Sequence, residues 1–77
     1  MKIKEKVGEI EVNATNKILI HITEFKIKNK IDIRNWFLSE ETGDWLPTKK
    51  GVTFEMKHRD NLVRLLNLID VGKDISI

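Results

Sequence analysis

Residues 2 to 12 alternate Lys and Glu with Ile and Val, a period of two that predicts a strand with one apolar face. The phase slips by one at Gly8, since Ile3 and Val7 are odd while Ile10 and Val12 are even, which predicts a bulge at the glycine. Residues 13 to 16, "NATN", have turn chemistry. Asn13 to Thr15 also fits a glycosylation sequon, which reads here as a polar turn. Alternation resumes over residues 17 to 25, with Ile18, Ile20 and Ile22 on one face and Lys17, Leu19, His21, Thr23 and Phe25 on the other. Residues 30 to 38 repeat the design, with Ile31 and Ile33 against Lys30, Asp32, Arg34 and Trp36. The link "KIKN" is short enough for a hairpin. A polar loop, "SEETGD", leads to residues 45 to 54, where Pro47 predicts an edge position or a later strand start and Val52 with Phe54 resumes a buried face.

From about Met56 to Asp70 the period becomes helical. Leu62, Val63, Leu65, Leu66, Leu68 and Ile69 cover an arc of roughly 220° at about 100° per residue, about twice the stripe of a helix packed on one surface. One sheet does not bury that much. The surplus predicts a homodimer in which Leu62, Leu65, Leu66 and Ile69 meet the helix of a second copy. The alternative is that residues 71 to 77 or residues 1 to 6 fold over the helix. Glu55 is a weaker N-cap than Asn or Ser. The chain therefore reads as one α+β domain over residues 1 to 77, a four-stranded antiparallel sheet followed by one C-terminal helix. Ile18, Ile20, Ile22, Ile31, Ile33, Val52 and Phe54 are expected beneath the helix, and Phe25, Arg34 and Trp36 on an open face.

Composition narrows the function. At 77 residues the core of one chain is small, which again favours oligomerisation. There are no cysteines, so disulfides, thiolate catalysis and the common zinc sites are excluded, and a reducing compartment fits. No apolar run approaches a membrane span and the N-terminus lacks the apolar core of a signal peptide, so the expectation is an intracellular protein, cytoplasmic and nucleoid-associated or nuclear. Net charge is only +2, but it is segregated. Lys26, Lys28, Lys30 and Arg34 face a single acid, Asp32, and Lys49, Lys50, Lys57 and Arg59 surround Glu55, while Glu40, Glu41 and Asp44 share one loop. Large aromatics on an open sheet face mark an interaction site. Interleaved with cations, they suit single-stranded nucleic acid, where rings stack on bases and Lys or Arg follows the phosphates.

The blocks "FKIKNKIDIRNWF", residues 25 to 37, and "LPTKKGVTF", residues 46 to 54, resemble the transcriptional coactivator positive cofactor 4 family. That family's pattern runs Phe-Lys-x-Lys, Ile-Asp-Ile-Arg, two aromatics, an acidic loop, Pro-x-Arg/Lys-Lys-Gly and a helix, and the resemblance covers about residues 7 to 69. It implies a curved sheet, a homodimer made through the helices, and grooves that bind single-stranded DNA or melted duplex with little sequence preference, with the transcription machinery as a further partner. Phe25 and Phe37 match aromatics that stack on bases. Lys26, Lys28, Arg34, Lys49 and Lys50 match cations that contact the backbone, and Pro47 and Gly51 match the loop that shapes the groove. Alternation puts Trp36, not Phe37, on the face of Phe25, so both are candidates for the second stacking ring. Leu46 stands where the family commonly has lysine, Thr48 where it has glycine, and the acidic loop is one residue longer, which points to a less basic groove; at the helix start Arg59 stands where the family often has tryptophan.

Other readings carry less. His21 and His58 are the only histidines, and no Gly-rich phosphate loop or nucleophile, base and acid arrangement is present, so an enzyme is not expected, nor a cofactor or a metal site. His21 reads as a solvated strand residue and His58 as a surface or interface one. RNA binding and a protein-interaction module built on the aromatic face remain as alternatives to DNA.

Overall fold

The computed structural model describes residues 2–73. Four strands, β1 (Lys2–Asn13), β2 (Asn16–Phe25), β3 (Lys28–Leu38) and β4 (Trp45–Glu55), form one antiparallel sheet in sequence order. A 3₁₀ turn, Met56–His58, leads into the helix α1, Arg59–Asn67, and a last 3₁₀ turn spans Val71–Lys73. Consecutive antiparallel pairing needs only short links, which the turn sequences supply. Asn13 and Asn16 pair across the first turn, where Asn13 Oδ1 accepts from the Thr15 amide at 2.9 Å. The second link is tighter than "KIKN": Phe25 pairs with Lys28 and only Lys26 and Ile27 lie between. The Ser39–Asp44 loop is closed by bonds from the Ser39 amide to the Asp44 carbonyl and from the Gly43 amide to the Ser39 carbonyl, with Gly43 at φ 75°.

The phase slip at Gly8 is a shift of register between Lys6 and Gly8, and β1 has two further shifts. Pro47 stands within β4, opposite Trp36, and β4 is an edge strand, where a missing N–H breaks no ladder bond on the solvent side. The helix is shorter than the periodicity suggests. No side chain caps either of its starting turns, and its end is tightened by bonds from the Leu68 and Ile69 amides to the Leu65 and Leu66 carbonyls, so Ile69 lies past the last helical residue.

Ile20, Ile22, Ile31 and Ile33 face the helix across a cleft of about 410 Å³, whose other wall is Met56, Leu62, Val63 and Leu66. The five isoleucines of β2 and β3 and Phe54 are half-buried, Ile18 and Phe54 outside the cleft, but Val52, expected beneath the helix, is 58% exposed. Val52 pairs with Ile33 from the edge strand β4 and is not among the residues that line the cleft. Lys2 to Lys6 are paired into the sheet, and Val71 is exposed, so these segments do not cover the helix; residue 1 and residues 74 to 77 lie outside the described residues. Among the described residues, no helix is long and apolar enough to cross a membrane.

Candidate functional site

The face that alternation leaves open is the one the structure buries most. Thr23 is 1% exposed, Asp32 3%, His21 4% and Leu19 5%. Register supplies the reason: His21 lies opposite both Lys6 and Asp32, Thr23 opposite Lys30, Leu19 opposite Arg34 and Lys17 opposite Trp36, so short central side chains lie under long neighbours. The expectation of a solvated His21 is therefore overturned. Burial is the largest influence on its imidazole and, with the Lys6 charge, outweighs the pull of Asp32 and holds it below the ordinary histidine value. Trp36 packs against it, ring centroids 5.4 Å apart at 48°, with its Nε1 buried. Trp36 is thus half-buried packing on this face, and the open-face expectation for it is corrected.

Arg34 is corrected in the same way. Its side chain is 18% exposed, and its donors turn inward. Nε and Nη2 donate to the two carboxylate oxygens of Asp32 at 3.2 and 3.0 Å, and Nη1 donates to the Thr48 carbonyl at 2.9 Å. Thr53 Oγ1 donates to Asp32 at 2.6 Å. A guanidinium held by a buried carboxylate is a poor phosphate ligand, and Arg34 instead ties β3 to the irregular part of β4. Between Arg34 and Trp36 the register shifts: Gly51 pairs with Arg34 and Pro47 with Trp36, so residues 48 to 50 bulge opposite Asn35. Thr48 Oγ1 anchors the bulge by donating to the Asn35 carbonyl at 2.8 Å and accepting from the Lys50 amide at 3.1 Å. Lys49 and Lys50 project from it, exposed. Bulges re-aim side chains in this way.

Gly51 makes that arrangement possible. A Cβ there would stand 2.8 Å from Arg34 Cβ, Arg34 Cγ and the Ile33 carbonyl oxygen, and the last of these is backbone. Gly51→Ala is expected to cost about 1 to 3 kcal/mol of stability, as overpacking does, and to lower the thermal midpoint. An unchanged midpoint would mean that edge strand β4 retreats freely and that the glycine is not required.

The remaining candidates are exposed. Phe25 is 51% exposed at the end of β2, and Lys26 Nζ lies 5.3 Å from its ring centroid. Lys28 follows across the turn. Phe37 is 39% exposed at the other end of the hairpin, paired with Asn16 and Leu46. The structure thus gathers Phe25, Lys26 and Lys28 at one end, places Lys49 and Lys50 along the β4 edge, and sets Phe37 with Pro47 about 30 Å from Phe25, given roughly 3.3 Å per strand residue. By register Phe37 lies on the isoleucine side and Phe25 on the Trp36 side, so the two rings do not share a face. Unlike Lys4, Lys6 and Lys17, which pair with Glu24 or Glu9, the ammonium groups of Lys26, Lys28, Lys49 and Lys50 have no carboxylate partner among the described residues.

Two residues on β4 were not singled out by sequence. Trp45 pairs with Leu38 and carries Lys17 Nζ 4.3 Å from its ring centroid, a cation held between Trp45 and Glu9. Thr53 completes the Asp32 site. The Asp32 and Arg34 spacing, two apart and hence on one face, is a signal available in the sequence; the Thr53 and Trp45 contacts depend on register between strands.

The sheet-and-helix architecture recurs in solved structures. A PC4 homolog from Burkholderia pseudomallei superposes with a TM-score of 0.79 over 87% of this chain and 88% of that one, at 21% identity. The bacteriophage T5 homolog of the eukaryotic transcription coactivator PC4, implicated in recombination-dependent DNA replication, superposes with a TM-score of 0.58 over 83% of this chain and 73% of that one, at 20% identity. Among curated protein sequences none matches. At these identities the likeness establishes the fold. The family follows from sequence: the model for Transcriptional Coactivator p15 (PC4) matches residues 12–65, from the end of β1 into α1, and the chain belongs to that family.

Proposed function

We propose that this protein is a non-enzymatic, homodimeric module that binds single-stranded DNA with little regard to sequence, in transcription or in replication and repair inside the cell. The observation that carries the reading is the tip of the β2–β3 hairpin, where an exposed Phe25 stands among cations without carboxylate partners, in a chain of the PC4 family. Phe25 offers a base a flat apolar ring, and Lys26, Lys28, Lys49 and Lys50 offer its phosphates mobile charge. Arg34 and Gly51 act through the shape of β4, since they hold the bulge that carries Lys49 and Lys50. Phe37 is the second exposed ring, with Pro47 and Leu46 beside it on β4.

The dimer is supported by what the single chain leaves uncovered. Among the described residues Leu19 is the one buried apolar side chain, while Val63, Leu65, Leu66, Leu68 and Ile69 are 41 to 71% exposed. Large apolar side chains left exposed along one short helix are what a second copy covers.

The test is binding of labelled single-stranded DNA, duplex DNA and single-stranded RNA at two salt concentrations. Single-stranded DNA is expected to bind best, with a log–log salt slope of roughly −0.7 per phosphate contact. Lys26→Ala with Lys28→Ala should flatten that slope. Phe25→Ala should weaken binding by about 1 to 3 kcal/mol at an unchanged slope, because a lost ring removes no cation, and melting should stay near normal for a half-exposed side chain. Equal affinity for all three nucleic acids, or none for any, would refute the proposal.

A further inference from the structure

The tip of the β2–β3 hairpin has a conformation that its residues do not favour. Lys26 and Ile27 both have positive φ, 51° and 63°. A two-residue turn of this hand demands that, and Asn, Asp and Gly supply it readily. A β-branched residue does not, because its side chain crowds the neighbouring backbone in the left-handed region. Strain of this kind persists where packing or function holds it. Packing does not hold it here: Ile27 is 94% exposed, more than any other large apolar side chain among the described residues. Glycine or asparagine would relax the turn and take an apolar group out of water, so local stability gives no reason for isoleucine.

Its neighbours indicate what it meets. Ile27 stands in the turn between Lys26 and Lys28, neither paired with a carboxylate, and two residues from the half-exposed Phe25, over whose ring Lys26 lies. A protein pocket that received Ile27 would have to desolvate or pair two flanking ammonium groups. A step between stacked bases is apolar inside and bordered by phosphates, which matches the tip in both respects.

We infer that the β2–β3 tip is a wedge: Ile27 enters between bases at the border of single-stranded and paired DNA, with Lys26 and Lys28 on the flanking phosphates. The inference rests on the proposed single-strand binding and adds to it the parting of a base step at a junction. Apolar side chains, isoleucine among them, are used in this way to unstack base steps. A two-residue turn between paired Phe25 and Lys28 presents the side chain with no loop to order first.

The experiment uses the full chain and a forked duplex carrying 2-aminopurine at the first base pair beside the single-stranded arms. Affinity for oligothymidylate, thermal melting and sedimentation mass are measured in parallel. Ile27→Gly and Ile27→Asn both favour positive φ, so each should melt at or above the wild-type midpoint. The wild type should raise the fluorescence of the fork, and both variants should lose that rise while binding oligothymidylate as the wild type does. Variants that brighten the fork like the wild type would overturn the wedge. So would variants that lose oligothymidylate binding or change mass, since Ile27 would then be a general strand contact or an interface residue. A wild type that binds oligothymidylate but leaves the fork dark removes the wedge alone; one that binds no single strand removes the proposed function with it.

Discussion

Asp32→Ala lowers stability by about 3 to 5 kcal/mol, the expected cost of breaking a buried ion pair by removing one partner. Against a total of about 5 to 15 kcal/mol for a domain, that is enough to unfold most of the population. The carboxylate is 3% exposed and accepts from Arg34 twice and from Thr53, so its loss leaves a guanidinium inside the sheet with no anion. Urea denaturation measures the loss. Arg34→Met combined with Asp32→Ala should recover part of it, because the double variant no longer holds an orphaned charge. A single variant as stable as the wild type would show that Arg34 swings out to solvent without cost.

The same pair sets the acid limit. Burial pushes the Asp32 carboxyl up, but the hydrogen bonds from Arg34 and Thr53 and the Arg34 charge outweigh it and hold the group below the ordinary aspartate value. The unfolded chain then takes up the proton first as pH falls. Its contribution is complete above the ordinary value of about 3.9 and is lost as pH falls through the lower, folded one. His21 is also depressed, through burial first, so its contribution is complete above about 6.5 and is lost as pH falls through its own folded value. Thermal midpoints are therefore expected to decline on acidification from neutral pH, and a midpoint that rises would contradict both assignments.

Leu66→Asp is expected to abolish the proposed dimer. Leu66 is 53% exposed in one chain yet lines the cleft against Ile20, Ile22, Ile31 and Ile33, so it lies where the sheet of its own chain and the helix of a second copy would meet. A carboxylate buried there without a partner costs several kcal/mol, and each large apolar side chain left in water forgoes about 1.5 to 3 kcal/mol. The variant should sediment as a monomer or unfold. A wild-type mass of 9.0 kDa at micromolar concentration would end the dimer proposal.

Local pattern carried most of the architecture. Four alternating segments, the phase slip at Gly8, the Asn-rich turn and the change of period after Glu55 each appear in the structure where the sequence places them, because period and turn chemistry act over a few residues. The family blocks around residues 25 to 37 and 46 to 54 were legible for the same reason.

Alternation determines which residues share a face, and here it did so correctly: Ile18, Ile20 and Ile22 face away from Leu19, His21 and Thr23. It does not determine which face closes. That depends on what the neighbouring strands set opposite, and only the register of Lys6, Trp36 and Arg34 against β2 buries the face that holds His21. Tertiary structure likewise turned Arg34 from a free cation into a partner of Asp32, since the site needs Thr53 and Thr48 from a strand many residues away. The sequence by itself determined the elements, their order and the family; only the tertiary structure decided which face is buried and which cations stay free, because both depend on side chains brought together across strands.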